Sequence, residues 1–523
     1  MKFLKNNYPL YLYAGALALL LMNTLPGVAG VGSDIHRCIF MSQRALDLGW
    51  DLQYPYEQSN VSFVVGWLVP MITKLSHIPI VWVYKLILPA FFALVPVILY
   101  YAYSKMIDKK LAFYSASFFA IMPAFFMEIS QIGKSMFGEV FFALAILVMV
   151  SNVRYKILLV GLCVVIATFA HYSLGIVIIG LLFGISVVLL VTYPFRQKFE
   201  ILNNRQVPLK GLILIVLVVG FAGYSFYHWA AGGEIVNVVN NQAVYYSDAV
   251  TPGGVVGLSN PLENQPPLVK AAIGLDFQDA SPMGKLFRLV QYVTQGLIII
   301  GLFVLLVRWK QYKFTTEFAI GSGGCFLILL GCIFLPYFSQ ILNMTRWYHL
   351  SLFYLAPMLV LGVSIFNKRN FAPIVLISYL FFTSGFAYWL TGSKAVSSPD
   401  LPYTVLLGGE QNGLVAVWNQ DDLNCVLWLK EQDSKIVADL NGFQLLSEYI
   451  DKVPRLKDAL LDLRRTLVQA KSGEFIFTST WNNQNRLMVE DGEIGAGLRV
   501  VYALPEMNYK VAYQSGMSIV YVK

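Results

Sequence analysis

Apolar residues gather in eleven runs, at 8–30, 79–103, 111–127, 137–152, 157–170, 173–193, 211–230, 286–307, 317–336, 350–366 and 371–391. A run of about 20 such residues crosses the bilayer hydrocarbon as a single helix. The pattern therefore predicts about eleven transmembrane helices over residues 1–391. The runs at 137–152 and 157–170 are short, as tilted, broken or re-entrant segments are. Beyond 391 the pattern changes. Leu423, Val426, Leu427 and Leu429 recur at helical spacing after the polar stretch Gln420–Asp421–Asp422. Residues 435–439 read as a short strand, 456–471 as an amphipathic helix, and 474–480, 497–503 and 510–522 as strands rich in Val, Ile, Tyr and Phe. The expected architecture is an α-helical polytopic membrane body, 1–391, followed by a small α/β domain, 392–523. At about 130 residues that domain is large enough for a core of its own.

Composition narrows the class. Of the 523 residues, 57% are hydrophobic and 13% charged, against roughly a quarter charged in soluble proteins. A fully soluble enzyme, a disordered chain and a fibrous repeat are excluded. The net charge of +8 would suggest nucleic acid in a soluble protein. Here the excess of Lys and Arg falls where cytoplasmic loops collect it, so no nucleic-acid partner is implied. With the N-terminus inside, the inner segments hold sixteen Lys and Arg and the longer outer loops seven. This predicts a multi-pass protein of the plasma membrane, surrounded by membrane lipids, with a cytoplasmic N-terminus and an extracytoplasmic C-terminal domain. Lys2, Lys5 and the small residues Gly27–Gly30 also suit a signal peptide, but the apolar run exceeds a usual h-region. The five cysteines show neither CxxC nor metal spacing. Cys38 and Cys425 share the outer side, which alone gives no warrant for a bridge.

Four stretches face outward: 31–78, 128–136, 231–285 and the C-terminal domain. Residues 33–48 read as an amphipathic helix, with Ser33 as N-cap, Asp34 in the first turn and Gly49 as its stop. Ile35, Ile39, Ala45, Leu46 and Leu48 oppose Arg37 and Arg44, which predicts a helix lying on the outer membrane surface. Charges near hydrocarbon are costly unless paired or used, and they cluster at the outer ends of the spans: Asp34 and His36, Glu128, Lys134 and Glu139, His171, His228, Arg346 and His349. Asp34 and His36 suit a general base or two donors for a divalent cation, Mg or Mn. The plain alternative is a helix-start charge and a surface histidine. Lys134 suits an anionic group, with Glu139 opening the next helix; interfacial snorkelling is the plain alternative. His171–Tyr172–Ser173 separates two apolar runs as a polar turn. Arg346, beside Trp347 and Tyr348, has the fork that clamps a phosphate, or else belongs to an aromatic belt. Lys85 is near enough to the outer face to snorkel. Asn60-Val-Ser62 and Asn343-Met-Thr345 match the glycosylation pattern, which is frequent by chance. A Walker loop, GxSxG, HExxH and Rossmann glycines are missing from suitable contexts, against an ATP-driven pump, a serine hydrolase and a zincin.

An acidic residue after the first span, within Gly32–Ser33–Asp34–Ile35–His36–Arg37, a second acidic position opening a later span, about eleven spans and a terminal soluble domain together resemble the GT-C glycosyltransferases. These include oligosaccharyltransferases, protein mannosyltransferases and aminoarabinose transferases. The resemblance covers 1–391, and the tail matches only in placement. It implies an inverting transfer of a sugar from a polyprenyl phosphate or diphosphate donor to a glycan, lipid or protein acceptor. Asp34, with Glu139 as the second acidic position, would be catalytic, and Lys134 and Arg346 would hold the donor phosphate. His36, His171, Tyr172 and His349 would line the pocket. Many relatives carry a second carboxylate where this chain has His36, so a metal at Asp34 and His36 stays open. A cell-surface polysaccharide polymerase or ligase is the nearest alternative. A transporter would place its charges near the midplane on interrupted, repeated helices; an assembly scaffold would use the tail as a binding module.

Overall fold

The structure is a computed structural model describing residues 7–32, 34–52, 61–195, 204, 207–230, 267–275, 277–278, 280–335, 338, 344–366, 371–392, 417–432, 436–450, 475–491, 499–503 and 510–522. In chain order the helices of the body are α1 (Tyr8–Thr24), α2 (Asp34–Leu48), α3 (Val64–Ser76), α4 (Ile80–Tyr103), α5 (Lys109–Ala120), α6 (Ala124–Gln131), α7 (Gly133–Val150), α8 (Lys156–Ala170), α9 (Tyr172–Val191), α10 (Leu209–Ala230), α11 (Pro267–Ile273), α12 (Pro282–Val307), α13 (Thr316–Phe334), α14 (Met344–Ser364), α15 (Phe371–Thr383) and α16 (Phe386–Thr391). Each of the eleven predicted runs falls on a helix. Among the described residues seven are long and apolar enough to cross a membrane, or eight if α5 and α6, bent by 52°, form one span. The runs at 8–30, 157–170 and 371–391 give the shorter helices α1, α8 and α15.

Polar caps punctuate these apolar helices. Asp108 accepts from the N–H groups of Lys110 and Leu111 ahead of α5, Ser281 from Gly284 ahead of α12, and Thr315 from Phe318 ahead of α13. Each satisfies donors the first turn leaves open. Helix α14 is enclosed by its neighbours, with every residue from Leu350 to Val363 buried. Its contact with α12 is backbone against backbone. A Cβ added at Gly301 would lie 1.7 Å from the Met358 carbonyl oxygen, and one at Gly362 2.0 Å from that of Leu297. Small residues are what let membrane helices approach this closely.

Helix α2 begins and ends as its sequence predicts, with Gly49 at φ 88° after its last turn. Its apolar side does not rest on lipid. Ile35, His36, Cys38, Ile39, Met41 and Ser42 are buried against protein. Ser42 donates to the Val65 carbonyl of α3, and Tyr84 of α4 donates to the Cys38 carbonyl. The segment is too well supplied with protein partners to lie free on the bilayer. Ser33 lies outside the described residues, as do Asn60, Asn343 and the expected helix at 456–471. All five cysteines are free thiols.

The C-terminal region holds α17 (Gln420–Lys430), β1 (Ile436–Ala438), α18 (Leu440–Tyr449), β2 (Phe475–Thr478), α19 (Thr480–Asn485), β3 (Leu487–Asp491), β4 (Arg499–Ala503), β5 (Lys510–Ser515) and β6 (Ser518–Val522). A four-stranded sheet runs β1-β2-β6-β5, parallel between β1 and β2 and antiparallel elsewhere, and β3 pairs with β4 in a separate ribbon. The stretch 510–522, expected as one strand, is a hairpin. Ser515 pairs with Ser518 across a turn in which Gly516 takes φ 53°, a conformation glycine adopts freely. The core of this region includes Ala29, from the turn after α1, packed with Trp418, Cys425, Val426, Leu445, Phe477 and Val520.

Replacing Gly301 by Leu is expected to separate α12 from α14 and destabilise the fold by about 1–3 kcal/mol or more, seen as a lower melting temperature in detergent, whereas Gly296→Leu, at a position with open space around its Cα, should leave it nearly unchanged.

Candidate active site

The turn from Leu25 to Gly32 carries the chain from α1 to α2 and so places Asp34. Lys85 of α4 holds it from below. Its ammonium donates to the carbonyls of Pro26 (2.9 Å), Gly27 (2.7 Å) and Ala29 (3.0 Å), while Thr24 donates to the Lys85 carbonyl at 2.8 Å. Lys85 is 1% exposed, so it does not snorkel. Its three donors are used inside the protein, as burial requires. Gly32, at φ 109°, lies against the Gln131 side chain, which would meet any Cβ there at 2.1 Å. The turn is thereby fitted to the connection between α6 and α7.

Asp34 comes out of this turn on the open side of α2, 47% exposed, with Oδ2 3.6 Å from Nη2 of Arg346 at the start of α14. The pair joins residues more than 300 positions apart. It is half in solvent and not bidentate, so it is worth about 1 kcal/mol at most. The Nε–H of Arg346 has no hydrogen-bond partner among the described residues. Next to it, the Thr345 hydroxyl donates to Glu128 of α6. Arg346 also stands within electrostatic reach of Glu128 and of His171.

Lys134, in the first turn of α7, is buried to 8% exposure, and its charge too reaches His171. His171 occupies the turn between α8 and α9, outside both helices. Its Nδ1 lies 2.7 Å from the Ser135 hydroxyl and its Nε2 3.0 Å from that of Ser173. Burial, reinforced by Lys134 and Arg346, holds its pKa well below the usual imidazole range. Tyr172 stacks edge-on against His171 and Tyr227. Lys134, Arg346, His171 and Tyr172 thus form one neighbourhood.

Three sequence candidates take other positions. Glu139 and His349 face each other between α7 and α14, Oε2 to Nε2 2.7 Å, at 2% and 0% side-chain exposure. Phe119, Phe125 and Phe353 surround the imidazole. The pair is a sealed strut behind the opening and is not presented to it. His36 is also sealed. Its Nδ1 lies 2.7 Å from Oε2 of Glu448 in α18, both side chains being 0% exposed. Asp34 and His36 are two residues apart on a helix and point to different sides. They do not converge on a common ion. Among the described residues no group of three or more His, Cys, Asp or Glu side chains is arranged to hold a metal.

Sequence reasoning passed over Glu448, Gln131, Ser135 and Thr345. Glu128 was visible as a carboxylate closing an apolar run. Glu448 carried no signal, since its partner lies 412 positions away.

Comparison with known proteins bears on the whole arrangement. Residues 155–521 match a family described as "Predicted membrane protein (DUF2206)". The chain belongs to this family. No curated protein matches it by sequence. Its fold is similar to that of ArnT from Cupriavidus metallidurans, solved bound to undecaprenyl phosphate: TM-score 0.50 at 12% identity, covering 99% of this chain and 97% of that one. The oligosaccharyltransferase of Archaeoglobus fulgidus aligns over 91% of this chain and 68% of its own, at 13% identity and TM-score 0.48. The mycobacterial arabinofuranosyltransferase AftD aligns at 12% identity and TM-score 0.44, with this chain spanning 40% of its length. The end-to-end overlap with ArnT shows a shared GT-C fold, and the family description together with the apolar helices marks a multi-pass membrane protein.

Two outcomes are expected. Glu139→Ala or His349→Ala alone should destabilise the body by about 3–5 kcal/mol, because each leaves a buried polar partner stranded, while the double replacement costs less than the sum, as melting temperatures in a double-mutant cycle will show. His171 has a lower pKa folded than unfolded, so the unfolded chain binds the extra proton. Stability should therefore fall as pH drops below about 6.5, the unfolded value, and His171→Gln should flatten that decline.

Proposed function

We propose that the chain is an inverting glycosyltransferase that moves a sugar from a polyprenyl phosphate or diphosphate carrier to an acceptor on the outer face of the membrane. One observation carries this reading. An exposed carboxylate, Asp34, stands 3.6 Å from a guanidinium, Arg346, whose Nε–H has no hydrogen-bond partner among the described residues, and a second cation, Lys134, lies in the same neighbourhood. The GT-C fold supports it, and so does the ligand of ArnT, an undecaprenyl phosphate. The outward orientation follows the distribution of Lys and Arg along the sequence.

In this mechanism an acceptor hydroxyl attacks the anomeric carbon from the side opposite the phosphate. Asp34 takes the hydroxyl proton as the new carbon–oxygen bond forms. The bond from the anomeric carbon to the phosphate oxygen breaks, and its electron pair leaves with the carrier phosphate, so the configuration inverts. Arg346 and Lys134 meet the charge that develops there. The weak ion pair with Asp34 lets Arg346 turn to the phosphate and frees the carboxylate at the same moment. His171, neutral and held by Ser135, leaves the cationic charge of the pocket to Lys134 and Arg346. The donors at Asp34 and His36 face different partners and do not fit a shared divalent cation.

The test is the thermal stability of the detergent-solubilised protein with polyprenyl phosphate. A carrier at about 100 times its dissociation constant stabilises by about 2.7 kcal/mol. The shift should be retained in Asp34→Asn and lost in Arg346→Ala and Lys134→Ala. Transfer of label from a polyprenyl-linked sugar to membrane acceptors should fall on the order of 10²-fold or more in Asp34→Asn. Full transfer by a well-folded Asp34→Asn protein, or no shift with the wild type, would sink the reading.

A further inference from the structure

We propose that Glu448 is a positioning residue, through which the C-terminal region sets the place of Asp34 and forms part of the catalytic unit. The inference rests on the reading of Asp34 as the group that activates the acceptor. A single carboxylate oxygen, Oε2 of Glu448, lies 3.2 Å from the N–H of Gly30, from which it accepts, and 2.7 Å from Nδ1 of His36. Gly30 is four residues before Asp34 and His36 two after it. One atom of α18 therefore grips both sides of the turn that presents the carboxylate.

The surroundings leave this grip little freedom. Glu448 and His36 are wholly buried, and a buried carboxylate is tolerated only with its partners in place. The N–H of Val28 donates to the Trp418 carbonyl at 2.9 Å, and the Trp418 ring meets His36 edge-on. A Cβ at Gly27 would strike the Trp418 backbone at 2.9 Å, and one at Gly30 would strike Ile35 at 2.7 Å. From the opposite side Lys85 and Gln131 hold the same turn. The turn is thus clamped between membrane body and C-terminal region, and Asp34 is its one exposed ionisable group. Glu448 is too deeply buried to touch a substrate, so any effect it has on transfer passes through the turn.

The test is hydrogen–deuterium exchange on the full-length protein in detergent, comparing wild type, Glu448→Ala and Glu448→Gln. In Glu448→Ala the amides of 28–40 should exchange on the order of tenfold faster, since local opening responds to local contacts, with α10 (209–230) unchanged. Glu448→Gln keeps an oxygen for Gly30 and His36 and should stay near wild type. Wild-type exchange over 28–40 in Glu448→Ala would overturn the proposal. So would faster exchange spread equally over α10, which signals general loosening, or a Gln variant as mobile as Ala. Stabilisation by polyprenyl phosphate is read on the same samples and should be equal in all three. Its absence from wild type would remove the carrier reading while leaving the exchange result to decide the clamp.

Discussion

A buried ammonium is among the least forgiving groups a membrane protein can hold, and one end of this one is built around Lys85. An ammonium has three protons to give and no capacity to accept. In an apolar helix bundle each must find an oxygen. The carbonyls of Pro26, Gly27 and Ala29 supply them, which forces the chain leaving α1 to curl over α4 at this point. Once that curl is fixed, Gly32 meets Gln131, α2 starts where it does, and Asp34 arrives opposite Arg346.

The ionisable groups around this turn fall into two kinds. Glu139 with His349, and Glu448 with His36, are short contacts sealed from solvent. Such pairs bring little net stability relative to apolar packing, but each resists being broken. They act as fixed points. Asp34 with Arg346 is long, open and weak, and can be exchanged for another partner at small cost. A site that must release one charge to seize another is well served by stiff pairs behind and a soft pair in front.

Much of this was legible in the sequence. The apolar runs located the seven or eight candidate spans among the described residues, because length and hydropathy suffice for that, but they also counted shorter helices as spans. Asp34, Lys134, His171, Tyr172 and Arg346 stood out because charges and polar turns are scarce among such runs. What periodicity hides is depth. Asp34 opens α2 and Glu139 lies in the second turn of α7, yet one is open and the other sealed, depending on whether solvent or α14 faces them. Lys85 looked like a surface lysine because nothing local shows that a turn 56 residues earlier folds over it. The hairpin at 510–522 was read as one strand because Val, Tyr and Ile flank the short Gln514–Ser515–Gly516 turn closely on both sides.

The inclusion of Ala29 in the core built around Trp418 also fixes a sequence of events in time. Val28 and Trp418 are hydrogen-bonded across about 390 residues, and a ribosome working at about 10 residues per second needs more than half a minute to separate them. Throughout that interval the first turn is made but has no lid, while the candidate spans between them are synthesised. The carboxylate's final placement is therefore among the last events of biogenesis. A chain halted before its C-terminal region would hold its spans and yet lack a settled place for Asp34.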